Sequence, residues 1–137
     1  AFVIERVVLV DSGPLYAIIH PRDQYYERAH AELAALAAEQ RIMSVIYPTV
    51  LETYSLILKR HPPIDAINWI RDVVRNPLPL EPTQADFLQA FETVQRFADQ
   101  RVTLFDAVLA TYAIRSKLPV WTYDHHFDIM GARVWRR

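Results

Sequence analysis

Hydrophobic and polar positions along the 137 residues follow two periods. Short β-branched or apolar runs at Val7–Val10, Ile42–Ile46 and Pro119–Thr122 read as buried strands. Between them apolar residues recur every three to four positions, the stripe of an amphipathic helix. The stripes predict helices over Pro14–Ile19, Gln24–Glu39, Pro48–Lys59, Ile64–Val74, Thr83–Ala98 and Thr103–Ser116. Tyr26, Ala29, Leu33 and Leu36 form the apolar face of the second helix, and Ile64, Ile67, Ile70, Val73 and Val74 are expected to face the core from the fourth. Pro48 suits the first turn of its helix, and His61-Pro62-Pro63 ends it. Leu78 and Leu80 form a short extended piece between prolines, and Arg133–Trp135 is expected as a last edge strand. Strands alternating with helices imply a parallel sheet, and such sheets carry their sites at the carboxyl ends of the strands.

Composition adds limits. Apolar residues make up 52 % and charged residues 23 %, an ordinary globular balance that predicts one domain over residues 1–137. The absence of cysteine excludes disulfides and thiolate metal sites and suits a reducing cytoplasm. No apolar run approaches the roughly 20 residues that cross a bilayer, and Ala1–Arg6 lacks the apolar stretch of a secretory signal. The net charge of −1 weighs against tight, non-specific nucleic-acid binding. With only two glycines, Gly13 and Gly131, a glycine-rich phosphate loop is excluded.

Four acids stand out against this frame. Asp11 follows the first strand and Asp124 the strand ending Val-Trp-Thr-Tyr, so both are expected on one rim. Glu52 falls in the first two turns of the Pro48 helix, and Asp106 lies three residues after Thr103 on an apolar helix. Each has an ordinary explanation alone. Asp11 fits a helix N-cap, Glu52 a surface acid near a helix start, and Asp124 a turn residue. Thr103-x-x-Asp106 is close to a capping-box spacing that recurs at Thr83 and Asp86. Together they make a cluster that would repel itself unless it held a hard divalent cation, and oxygen-only ligands select Mg²⁺ or Mn²⁺ over zinc.

On these residues the chain resembles the PIN-domain family, most closely the VapC-like toxins of toxin–antitoxin pairs. The resemblance rests on Asp11-Ser12 after the first strand, on Glu52, on Thr103-Leu104-Phe105-Asp106-Ala107, and on Thr122-Tyr123-Asp124 with Phe127 and Gly131 nearby. It implies a three-layer α/β/α fold around a mostly parallel, five-stranded sheet. It also implies Mg²⁺- or Mn²⁺-dependent cleavage of RNA by one or two ions, frequent homodimers, and an antitoxin partner that blocks the site. Asp11, Glu52, Asp106 and Asp124 are the expected metal-binding and catalytic residues. Ser12, Thr103 and Thr122 are candidates to orient carboxylates or water, and Arg22, Arg115 and Lys117 are candidates for RNA phosphates. Gly13-Pro14 stiffens the turn after Asp11. His125 and His126 are read as loop residues.

Three competing readings remain. An aspartyl-phosphate phosphatase usually carries a second Asp two residues after the first, where this chain has Gly13. A phospho-receiver domain needs an acidic pair at the first strand and a lysine after a late strand, whereas Lys59 and Lys117 both fall on predicted helices. The third is a PIN-like domain that is no toxin, either an RNA-processing nuclease or a module that binds RNA or a partner without cutting it.

Overall fold

The protein is described here by a computed structural model over residues 6–75 and 77–137. The amino-terminal segment read for a secretory signal lies almost wholly outside the described residues.

The strands β1 (Val7–Val10), β2 (Ile42–Ser44) and β3 (Val120–Trp121) form a parallel sheet in the order β2-β1-β3. Val8 stands opposite Met43, and Leu9 opposite both Ser44 and Val120. The helices are α1 (Ser12–Ile19), α2 (Tyr26–Ala38), α3 (Tyr47–Arg60), α4 (Pro63–Val73), α5 (Gln84–Arg96), α6 (Leu104–Ser116) and α7 (His126–Met130). None is long and apolar enough to cross a membrane.

Strand periodicity explains the layers. Side chains on a strand point alternately to the two faces. Val8, Val10 and Trp121 pack with Ala17, Ala29 and Leu36 of α1 and α2, and with Trp69, Ile70 and Val73 of α4. Leu9 and Val120 face the other way, into Ala90 of α5, Ala107–Ala110 and Ala113 of α6, and Phe127 and Met130 of α7. The run of alanines brings α6 close to the sheet.

The five-stranded sheet expected from sequence is corrected to three strands among the described residues. The two outer segments contribute single parallel bridges, Leu80 to Ile46 and Val134 to Val120. Leu80 uses both its backbone groups, donating to the Val45 carbonyl at 2.8 Å and accepting from the Tyr47 amide at 2.9 Å. Pro79 and Pro82 on either side lack the amide needed to lengthen that ladder. Val134 sits beside Val120 through only two bonds, from the Val120 amide to the Arg133 carbonyl and from the Trp135 amide to the Val120 carbonyl. Two further expectations change. The apolar stripe of α4 divides, with Ile70 and Val73 packed inside while Ile64 and Ile67 are exposed. The segment after Asp124 is helical, not a loop: α7 starts at His126 and stops at Gly131, whose φ of 87° is a left-handed conformation natural to glycine.

Helices α5 and α6 are joined by a buried acid. Asp86 completes a capping box with Thr83, and its two carboxylate oxygens take a forked pair from Arg115 at 2.6 and 2.7 Å. The Arg115 guanidinium holds the Asp86 carboxyl below its usual range. Asp86→Ala removes the carboxylate half of the capping box and strands Arg115. It should lower unfolding free energy by about 2 kcal/mol, measured by urea denaturation near neutral pH. The loss should shrink as pH falls through the depressed Asp86 pKa, because protonation weakens the same pair in the parent.

Candidate active site

The chain leaves β1 toward β2 on one side of the sheet and returns as β3 on the other. Strand order therefore reverses at β1. In parallel α/β sheets this reversal opens a crevice beyond the carboxyl ends of the strands. Asp11 follows β1 directly and Asp124 lies three residues past β3. Both stand at this crevice.

Asp11 is buried and performs two tasks. It caps α1 by accepting from the Ser12 amide at 2.8 Å, and its other oxygen accepts from the Thr122 hydroxyl at 2.7 Å. Thr122 Oγ1 in turn accepts from the Asp124 amide at 2.9 Å. One buried hydroxyl thus links the ends of β1 and β3. The Asp124 carboxylate accepts from the His126 amide at 2.9 Å, which starts α7. Asp106 sits in the first turn of α6, its amide held by the Thr103 hydroxyl at 3.1 Å. Glu52 reaches the same place from the second turn of α3.

Asp11, Glu52 and Asp106 each offer an oxygen, and these oxygens lie within 4.8 Å of one another. With Ser12, Thr103, Tyr123, Asp124 and His125 they line a cavity of about 410 Å³. No lysine or arginine lines it among the described residues. The electrostatics follow. Burial and the Asp11 charge push the Glu52 carboxyl up to about 7, opposed by the Ser12 hydroxyl. Burial, the Asp11 charge and a hydrogen bond to Asp124 push Asp106 up to about 8. Burial also raises Asp11, while the Thr122 and Ser12 hydrogen bonds oppose it. For Asp124, burial is outweighed by the His126 amide and by the hydrogen bond with Asp106, so its carboxyl lies below the usual range. Burial and mutual repulsion thus raise Asp106, whereas hydrogen bonds lower Asp124. Such an oxygen-only set with no lysine or arginine in its lining fits a hard divalent cation.

A family model for the PIN domain matches residues 8–132. The chain belongs to the PIN domain family. No curated protein matches it. Among solved structures, the fold is similar to Mycobacterium tuberculosis VapC20, described as a sarcin–ricin loop cleaving toxin. The TM-score is 0.81 at 16 % identity, over 95 % of this chain and 99 % of that one. It is also similar to FitAcB from Neisseria gonorrhoeae, with a TM-score of 0.67 at 18 % identity over 94 % and 96 % of the two chains. A third is VapBC2 from Rickettsia felis bound to a DNA fragment from its promoter, with a TM-score of 0.66 at 13 % identity over 95 % and 97 %. At these identities the likeness is one of fold.

Other residues expected at the site of this PIN domain lie elsewhere. Arg115 is held by Asp86. Lys117 ends α6 in a left-handed conformation and lines a surface cleft with Arg41 and Arg133, near the start of β3. Arg22 is exposed in the turn after α1. None of the three lines the acidic cavity. A buried residue that sequence reasoning missed is Glu32 of α2. One of its oxygens accepts from Trp121 Nε1 at 3.2 Å and from the Tyr123 hydroxyl at 2.7 Å, securing the residues on either side of Thr122. Its signal was position: Ala29, Glu32 and Leu36 fall on one helical face.

The raised carboxyls carry a sign. Unfolded Asp and Glu ionise near pH 4, whereas folded Glu52 and Asp106 keep protons up to about 7 and 8. Between those limits the folded state binds more protons, so stability falls as pH rises. In EDTA, thermal unfolding should shift downward from pH 5 to pH 8. Asp106→Asn should flatten that slope and gain about 1–3 kcal/mol at pH 8 by removing a buried like charge. Parallel pH profiles for the parent and Asp106→Asn would contradict this electrostatic account.

Proposed function

We propose that this PIN domain is a metal-dependent endoribonuclease and the toxin of a toxin–antitoxin pair. The observation that carries the reading is the convergence of Asp11, Glu52 and Asp106 on one cavity, with Asp124 in the same lining and no lysine or arginine among the lining groups described. Family membership supports nuclease chemistry, and likeness in fold to a sarcin–ricin loop cleaving toxin supports RNA as substrate. The fold neighbours FitAcB and VapBC2 lend support to an antitoxin partner. So does an apolar groove beside the acids, lined by Leu51, Phe91, Leu104 and Phe105, all of them exposed. Surfaces of that kind mark protein contacts. We assign the protein to the cytoplasm, in keeping with a chain without cysteine, and expect a homodimer.

In this mechanism Asp11, Glu52, Asp106 and Asp124 would hold one or two Mg²⁺ or Mn²⁺ ions, directly or through water. When bound, the cation supplies Lewis-acid activation of a water nucleophile and offsets charge developing on the phosphodiester. The chain's own residues prepare for it. Glu52 and Asp106 would hold the cation as carboxylates, so loading would be favoured at neutral to alkaline pH. Thr122 orients Asp11, and Ser12 orients Glu52. Thr103 fixes the turn that presents Asp106, and the His126 amide keeps Asp124 ionised.

Purified protein should cleave RNA, in a panel that includes the sarcin–ricin loop, only with Mg²⁺ or Mn²⁺, and EDTA should abolish cleavage. Asp106→Asn and Glu52→Gln should each lose at least about 100-fold in rate. Thr122→Val should lose on the order of 10- to 100-fold, mainly as weaker metal affinity. A folded Asp106→Asn protein that cuts at the parent rate would refute the assignment.

A further inference from the structure

The acidic cavity is lined by no arginine or lysine among the described residues, yet a polyanion must reach it. A second, smaller pocket of about 110 Å³ adjoins it and shares Tyr123, Asp124 and His125 with it. Its remaining lining includes Arg28, Trp135 and Arg136. The positive charge absent from the acidic cavity is present next door.

Arg28 is held ready there. Its guanidinium lies over the Tyr123 ring, 4.5 Å from the centroid, and 5.8 Å from that of Tyr25. Its Nε donates to Glu32 at 3.4 Å. Glu32 is buried, and its other oxygen is committed to Trp121 and Tyr123. This arrangement fixes the plane of the guanidinium. Its terminal Nη donors have no hydrogen-bond partner among the described residues, and the side chain is half exposed. A planar fork with free donors, set on an aromatic ring, matches a phosphate better than a flexible ammonium would. Arg136, also in the lining, is tied among the described residues only to Asp128, in an exposed pair at 2.8 Å. Pairs of that kind contribute little and yield readily to a stronger anion.

We propose that this pocket is a phosphate subsite for the RNA strand. It receives the backbone phosphate beside the one held at the carboxylates, with Arg28 as the principal contact and Arg136 as the second. The subsite rests on the ribonuclease reading and gives the substrate a direction, from the acids across Tyr123 toward Arg28.

The test is RNA affinity across a salt series, read as direct binding to the Asp106→Asn protein and as KM in the cleaving parent. Arg28→Gln and Arg136→Gln are compared with Arg71→Gln, an equal charge loss on α4. Arg28→Gln should weaken affinity about 10-fold, with a smaller fall in kcat, and reduce the slope of log affinity against log salt by about 1. Arg136→Gln should reduce that slope in the same direction, and Arg71→Gln should leave it unchanged. If Arg28→Gln unfolds because Glu32 is left unpaired, Arg136→Gln alone decides. Cleavage by the parent with slopes and KM indifferent to the arginines overturns the subsite and leaves the nuclease intact. A parent that neither cleaves nor binds RNA overturns both.

Discussion

Four carboxylates from four separate elements share one rim of the sheet, and assembling them costs free energy twice, in lost hydration and in mutual repulsion. The structure accommodates both costs by keeping two of the carboxyls protonated, Glu52 up to about pH 7 and Asp106 up to about pH 8. Asp11 and Asp124 also cap or start helices, but no cap or turn depends on the carboxylates of Glu52 and Asp106. An amide at either of those two positions would make a more stable metal-free protein. The arrangement makes physical sense as a socket that is unfavourable alone and favourable once a hard cation enters, and that is the basis of the proposed nuclease chemistry.

Rigidity comes from short bonds to backbone and hydroxyl groups. Asp11 is fixed by the Ser12 amide and the Thr122 hydroxyl, and Asp124 by the His126 amide. Thr122 is the common element, because it donates to one carboxylate and receives the amide of the other acid. Behind it, Glu32 bonds the side chains of Trp121 and Tyr123, which point to the opposite face of the sheet from Thr122. A buried acid on α2 therefore braces the strand end that carries the site. It also sets Arg28 over Tyr123, so the same residue connects the carboxylate cavity to the neighbouring cationic pocket.

Much of this was legible in the chain because it depends on local pattern. Strand runs ending at or just before an acid placed Asp11 and Asp124 on one rim, and helical stripes located α1 through α6 to within a few residues. What was not legible depends on contacts distant in sequence. Thr83-x-x-Asp86 and Thr103-x-x-Asp106 have the same spacing, and each threonine caps its helix. The carboxylate of Asp86 turns back to the Thr83 amide and to Arg115, whereas that of Asp106 faces Asp11, Glu52 and Asp124. Only the fold distinguishes them. The outer sheet positions failed for a different reason: flanking prolines and a two-residue β3 limit Leu80 and Val134 to single bridges. The helix α7 escaped notice because its first turn is organised by the Asp124 side chain, itself part of the site.

The most direct measurement of the central claim is the proton count on metal binding. Mn²⁺ titrated calorimetrically into the protein at pH 7, in two buffers of different ionisation enthalpy, should bind with net release of about one to two protons. Those protons come from the carboxyls that repulsion and burial keep protonated. Binding without proton release, or no binding at all, would contradict the account.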